Sequence, residues 1–283
     1  MTRPIPLLTR LSDRADTADA WICDIWGVLH NGKAAFESAK TACATFRQQG
    51  GVVVLVSNAP RPASAVAAQL AGFGITNASY DAIVTSGDVT RTMLENRPPV
   101  PFLHVGPDRD HGIFAGLGWQ ETVAARAELI LCSGLEDDTV DTPDTYREQF
   151  TELVGRGIPM WCANPDIKVE RGHQVVWCAG ALAQLYAQLG GDVTYAGKPH
   201  MPVYDTALAT IARIAGRTVP ASRVLAIGDG INTDIRGAAG AGIPSLFIAS
   251  AIHVDGALSP EKLHALFAPL PFRPVAAMDT LAY

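Results

Sequence analysis

Val224-Leu225-Ala226-Ile227-Gly228-Asp229-Gly230-Ile231-Asn232-Thr233-Asp234 is the stretch on which the fold turns. Its four leading apolar residues read as a buried strand, and Gly228-Asp229-Gly230 breaks that strand into a turn. Asp234 then opens a helix predicted over Asp234–Ala241, where a first-turn carboxylate suits the helix dipole. The same order recurs upstream. Trp21-Ile22-Cys23 leads into Asp24 and Gly27, and Val52–Val56 leads into Ser57-Asn58-Ala59. Further strands are predicted at Phe102–Val105, Leu129–Cys132, Met160–Ala163 and Ser245–Ile248, with Val193–Ala196 strand-like. Between them the apolar spacing predicts helices over Ser38–Gln49, Pro62–Leu70, Thr145–Gly155, Ala181–Leu189 and Tyr204–Ala215. Strand and helix alternating this often define the α/β class with parallel sheets. Ligands of such sheets bind beyond the carboxyl ends of the strands, so the three polar turns are where chemistry is expected.

The 283 residues are 48% hydrophobic and 18% charged, which excludes a disordered chain and supplies a large core. A net charge of −6 gives no basic footprint for nucleic acid or an anionic membrane surface, and a small-molecule partner is expected instead. Five widely spaced cysteines with no C-x-x-C pair point to a reduced, cytoplasmic setting rather than a disulfide framework or a zinc site. Residues 1–19 mix Arg3, Arg10, Asp13 and Arg14 with short apolar pieces and lack the apolar run of a signal peptide. No stretch reaches the roughly 18 uninterrupted apolar residues of a membrane-spanning helix. Turn residues at Ser86-Gly87 and Gly190-Gly191 mark off residues 88–192 as a separately folding insert in a core of 1–87 and 193–283.

Four pieces carry chemistry. Asp24 at a strand end is placed to be a nucleophile or a metal ligand, or to cap a turn. Ser57 and Asn58 can donate to a phosphate oxygen, or cap the following helix. Lys198, held in Gly197-Lys198-Pro199, suits a phosphoryl group or a carboxylate. Asp229 and Asp234, at a strand-to-helix turn, can hold a hard cation through oxygen. No dinucleotide fingerprint, P-loop, nucleophile elbow or H-E-x-x-H is present.

In this order the four pieces resemble motifs I to IV of the haloacid dehalogenase (HAD) superfamily, with 31 residues from Lys198 to Asp229 and 141 from Ser57 to Lys198. Val84-Thr85-Ser86-Gly87, Cys162-Ala163-Asn164-Pro165-Asp166 and Gly180-Ala181-Leu182 resemble its class IIA branch of nitrophenylphosphatase-, nucleotidase- and pyridoxal-phosphatase-like enzymes. The resemblance implies a Rossmann-like parallel-sheet core with an inserted α/β C2-type cap, and hydrolysis of a small phosphorylated metabolite through an aspartyl phosphate on Asp24. It further implies Mg²⁺ held by Asp24, the backbone carbonyl of Trp26, Asp229 and Asp234. Ser57 and Lys198 would bind the phosphoryl group, with Asn58, Asn164 and Asp166 toward substrate. A homodimer is also expected.

The departure from the family is Trp26. These phosphatases usually carry a second Asp two residues after the nucleophile, as general acid and base, and an indole cannot move a proton at neutral pH. Three readings follow: a substitute such as His30, a substrate with a good leaving group, or a site that binds a phosphorylated ligand without turnover. The position of Trp26 also predicts a ring at the mouth of the site.

Overall fold

The apolar runs become strands in the computed structural model, which describes residues 4–12, 18–171, 174–249 and 256–283. Arg3, Asp13 and Arg14 lie outside the described residues. The strands, in chain order, are β1 (Ala20–Asp24), β2 (Val52–Ser57), β3 (Ala82–Thr85), β4 (Phe102–Val105), β5 (Leu129–Cys132) and β6 (Met160–Cys162). They continue with β7 (Lys168–Arg171), β8 (Gln174–Trp177), β9 (Val193–Tyr195), β10 (Val224–Gly228), β11 (Ser245–Ile248) and β12 (Ala276–Met278). Two compact units form: Met1–Ser57 with Ala67–Val84 and Tyr204–Tyr283, and Asn58–Val66 with Thr85–Val203. Segments 58–66 and 193–203, placed with the core in the sequence reading, group here with the second unit.

In the first unit the strand order is β12-β11-β10-β1-β2-β3. The pairs β12–β11, β11–β10, β10–β1 and β1–β2 all run parallel. The central strands are buried throughout, which is why they read as unbroken apolar runs rather than alternating ones. Trp21 stacks face to face on Phe46 of the helix Glu37–Gln48, with ring centroids 4.0 Å apart. That helix starts and ends one residue before its predicted limits.

The second unit holds a parallel sheet in the order β4-β5-β6-β9 and an antiparallel hairpin, β7–β8. The hairpin is not predicted, because Lys168-Val169-Glu170-Arg171 carries too much charge to read as a strand. The helix Ser86–Glu95 is also new, and the boundary drawn between residues 87 and 88 falls inside it. Thr85 caps it by accepting the Asp88 N–H, so Ser86-Gly87 is a first helical turn rather than a linker.

One buried polar chain crosses this unit. His104 Nε2 lies 3.0 Å from Ser133 Oγ, and Ser133 in turn bonds the carboxyl of Asp110. Burial pushes Asp110 up to about 6, against the pull of Ser133, Arg109 and Arg61, and holds His104 down at about 4. At pH 5 the folded chain therefore carries its proton on Asp110, whereas the unfolded chain carries it on the histidine. A raised carboxyl pKa gives stability that is complete below the ordinary value of 3.8 and is lost as pH rises through about 6. Asp110→Asn is accordingly expected to stabilise the protein by on the order of 2 kcal/mol above pH 7. The gain should vanish toward pH 4, as read by denaturant unfolding at several pH values.

Candidate metal and phosphate site

Asp24 ends β1 beside Val56 of β2, and Cys23 pairs with Ile227 of β10. Ser57 thus ends one strand flanking Asp24, and Asp229 directly follows the other. The carboxylates of Asp24, Asp229 and Asp234 come together, with one oxygen of each within 4.8 Å of the others. All three side chains are buried. Three carboxylates packed this closely repel one another unless a cation lies among them, and an all-oxygen set selects a hard divalent ion.

Glycine makes the packing feasible. Gly27 sits at φ +81°, and a Cβ there would lie 2.2 Å from Asp229 Oδ2. A Cβ on Gly228 would likewise fall 2.2 Å from the Asp234 carboxyl carbon. Asp234 Oδ2 accepts the Gly230 N–H (3.1 Å) and the Thr233 hydroxyl (3.2 Å), and the buried Tyr204 donates to the Asp234 carbonyl (3.2 Å). The predicted start of the next helix at Asp234 is corrected: one wide turn, Ile231–Ile235, precedes the α-helix Arg236–Gly240, so Asp234 faces the other two carboxylates from inside a turn. Tyr204 has no site role in the sequence reading. A glycine on each side of Asp229 was the one signal in the sequence that pointed to this glycine packing.

The segment after Asp24 closes a tight turn. Gly27 N–H donates to the His30 carbonyl and Leu29 N–H to the Ile25 carbonyl, both at 2.9 Å. His30, the residue expected as a substitute acid–base, sits in a packed environment. It is buried, its Nδ1 accepts the Gly32 N–H at 3.0 Å, and its ring packs edge-on to Trp26 and against Phe73. Burial lowers its pKa, so the ring is neutral and pins the turn. The half-buried Trp26 ring folds over Gly32, whose φ is +81° and whose Cβ would come 2.3 Å from the ring.

Asn58, Asp166 and Lys198 gather in the second unit. Asn58 Oδ1 accepts the Lys198 N–H (2.8 Å), while its amide donates to the Lys198 carbonyl (3.1 Å) and to Asp166 Oδ1 (2.8 Å). The Asn58 side chain, expected toward substrate, clamps the Lys198 backbone. Gly197 is required beside it, since a Cβ there would meet Asn58 Oδ1 at 2.4 Å. Asn164 Oδ1 accepts the Asp166 N–H at 3.1 Å, closing the Asn-Pro-Asp turn.

A family model described as haloacid dehalogenase-like hydrolase matches residues 21–120, and a second HAD-hydrolase-like model matches 195–281. A solved hydrolase of the haloacid dehalogenase-like family from Brucella suis 1330 is 42% identical, with TM-score 0.85, over 96% of this chain and 98% of that one. The chain belongs to the haloacid dehalogenase-like hydrolase family. A glycerol phosphate phosphatase from Mycobacterium tuberculosis, solved with calcium and also with magnesium, shares the fold at 24% identity and TM-score 0.70. It covers 93% of this chain, and the match takes in 73% and 75% of those two solved chains. A dihydroxyacetone phosphatase of Corynebacterium glutamicum (strain R) is 28% identical over 131 residues, which are 46% of this chain and 42% of that relative. Among the described residues no helix is long and apolar enough to cross a membrane.

Gly27→Ala tests the carboxylate packing directly. The added methyl drives Asp229 aside, so divalent-ion affinity by calorimetry should fall at least about 10-fold. Thermal stability should fall as well, because φ +81° strains alanine by on the order of 1 kcal/mol.

Proposed function

We propose that the protein is a magnesium-dependent phosphatase of small phosphomonoesters. The observation that carries this reading is the convergence of the Asp24 and Asp229 carboxylates, at the carboxyl ends of parallel strands, with the Asp234 carboxylate from the turn that follows. Asp24, Asp229, Asp234 and the backbone carbonyl of Trp26 would hold the ion, which when bound offsets the repulsion between a carboxylate and a phosphate dianion. Asp24 attacks phosphorus, the ester oxygen departs, and water then cleaves the resulting acyl phosphate. Ser57 and Lys198 bind the transferring phosphoryl group, Lys198 being set by the Asn58 clamp. Residues 88–192 act as the cap that selects substrate, with Asp166 and the turn at Asn164 in that role. Two relatives are named for triose- and glycerol-type phosphates, which makes three-carbon phosphates the first substrates to assay.

The test is phosphate release from p-nitrophenyl phosphate, dihydroxyacetone phosphate and glycerol phosphate. Release should occur with Mg²⁺, stop with EDTA and return on adding Mg²⁺. A second reading, a binding protein for phosphorylated ligands, draws on Trp26 in place of an acid–base. It is favoured if these ligands raise the melting temperature in Mg²⁺ while none is hydrolysed.

A further inference from the structure

Among the described residues the three aspartates are not the sole metal-ligating side chains drawn together. In the second unit His104 of β4, His111 in the 3₁₀ turn Asp108–Ile113, and Glu121 each place one ligand atom within 4.8 Å of the others. We propose that these residues form a second metal site, for a zinc-class divalent ion, with Asp108 as a fourth ligand.

The backbone holds the three in place. Glu121 bridges to Phe102 at the edge of β4, where Phe102 N–H donates to the Gln120 carbonyl (3.0 Å) and Thr122 N–H to the Phe102 carbonyl (2.8 Å). The His111 carbonyl accepts the N–H groups of Phe114 and Ala115. Phe114 packs against both imidazoles, which lie 5.0 Å apart in an edge-to-face pair. Two nitrogens and a carboxylate oxygen suit zinc, whereas the three-carboxylate cluster of the first unit suits a hard ion.

A supporting shell is present as well. A ligating histidine is usually oriented by a hydrogen bond at its ring, and His104 has one from Nε2 to Ser133 Oγ, with Asp110 behind that hydroxyl. Oδ1 of Asp110 is buried with no hydrogen-bond partner, so this carboxyl has capacity to spare. Gly106 leaves room for the pair, because a Cβ there would lie 2.1 Å from Ser133 Oγ and 3.0 Å from His104 Nε2. Two carboxylates already stand near His111. His111 Nε2 is 3.8 Å from Asp108 Oδ1 and 4.0 Å from Glu121 Oε2. Tetrahedral ligands at about 2.0–2.2 Å from zinc stand about 3.3–3.6 Å apart. Asp108 and Glu121 are exposed and can swing that far at no cost in packing.

The experiment uses the full chain, stripped with EDTA and returned to excess Mg²⁺ so that a hard-ion site stays filled. Zn²⁺ titrated by calorimetry should add one equivalent that Mg²⁺ does not displace, and should raise the melting temperature by several degrees. Co²⁺ in its place should give the visible absorption bands of a four-coordinate site. Glu121→Gln alters an exposed side chain and His111→Gln a half-buried one, with circular dichroism checking that each variant folds; each should weaken Zn²⁺ at least 10-fold, and Ser133→Ala should weaken it about 10-fold through loss of ring orientation. Asp24→Asn should keep the Zn²⁺ equivalent. The proposal is overturned if the His111→Gln/Glu121→Gln double variant binds Zn²⁺ as the parent does, if Asp24→Asn abolishes the equivalent, or if none is found.

Discussion

Asp24→Asn is expected to lower Mg²⁺-dependent release of phosphate from p-nitrophenyl phosphate by at least about 10⁴-fold, the scale of losing a covalent nucleophile. An amide oxygen keeps the size of the side chain but cannot form the phosphoenzyme. The same substitution carries a second, opposite signature. Asp24 is one of three buried carboxylates whose oxygens lie within 4.8 Å of one another, and removing one charge relieves their mutual repulsion. In EDTA the variant should therefore melt above the parent. In saturating Mg²⁺ the order should reverse, because an ion that binds the folded parent adds about 2.7 kcal/mol at 100 times its dissociation constant. A variant that is inactive yet less stable than the parent in EDTA has lost its fold rather than its nucleophile. A variant that retains activity removes Asp24 from the chemistry.

Residues legible in the sequence were those whose burial follows from position along one strand. The strands β1, β2 and β10 lie side by side in the sheet interior, so Val53–Val56 and Val224–Ile227 read as unbroken apolar runs, and the polar residue ending each run stood out. Asp24 and Asp229 lie at the carboxyl ends of strands that are neighbours in the sheet. Roles set by contacts across the chain were not legible. Asn58 reads as a phosphate donor because it follows Ser57, and nothing local announces that its side chain also bonds the backbone of Lys198, 140 residues away. His30 reads as a titratable flap residue, and its packing against Trp26 and Phe73 is likewise invisible in the sequence. The grouping of His104, His111 and Glu121 has no motif spacing, since the edge of β4 brings Glu121 back beside Phe102. The hairpin β7–β8 is not legible for a different reason: its charged strand lacks the apolar pattern that marks a buried one.

Trp26→Asp should act in the direction opposite to Asp24→Asn. The family resemblance places a general acid and base at residue 26, and such help is worth about 10²–10⁴-fold. Its value depends on the departing group: p-nitrophenolate leaves readily without a proton, whereas the alkoxide of glycerol phosphate does not. The variant is thus expected to gain about 10²-fold or more on glycerol phosphate and little on p-nitrophenyl phosphate. Stability should move the other way. The half-buried indole packs on Gly32 and against His30, and its removal should cost about 1–3 kcal/mol in unfolding experiments. Trp26→Asn removes the same ring without supplying a carboxyl, so it should share the stability loss and show no rate gain. A gain that is equal on both substrates would trace to opened space rather than proton transfer. No gain on either, with Mg²⁺ affinity intact, would move the balance toward a phospholigand-binding role, in which the indole over Gly32 serves the turn and the chemistry of this site has been given up.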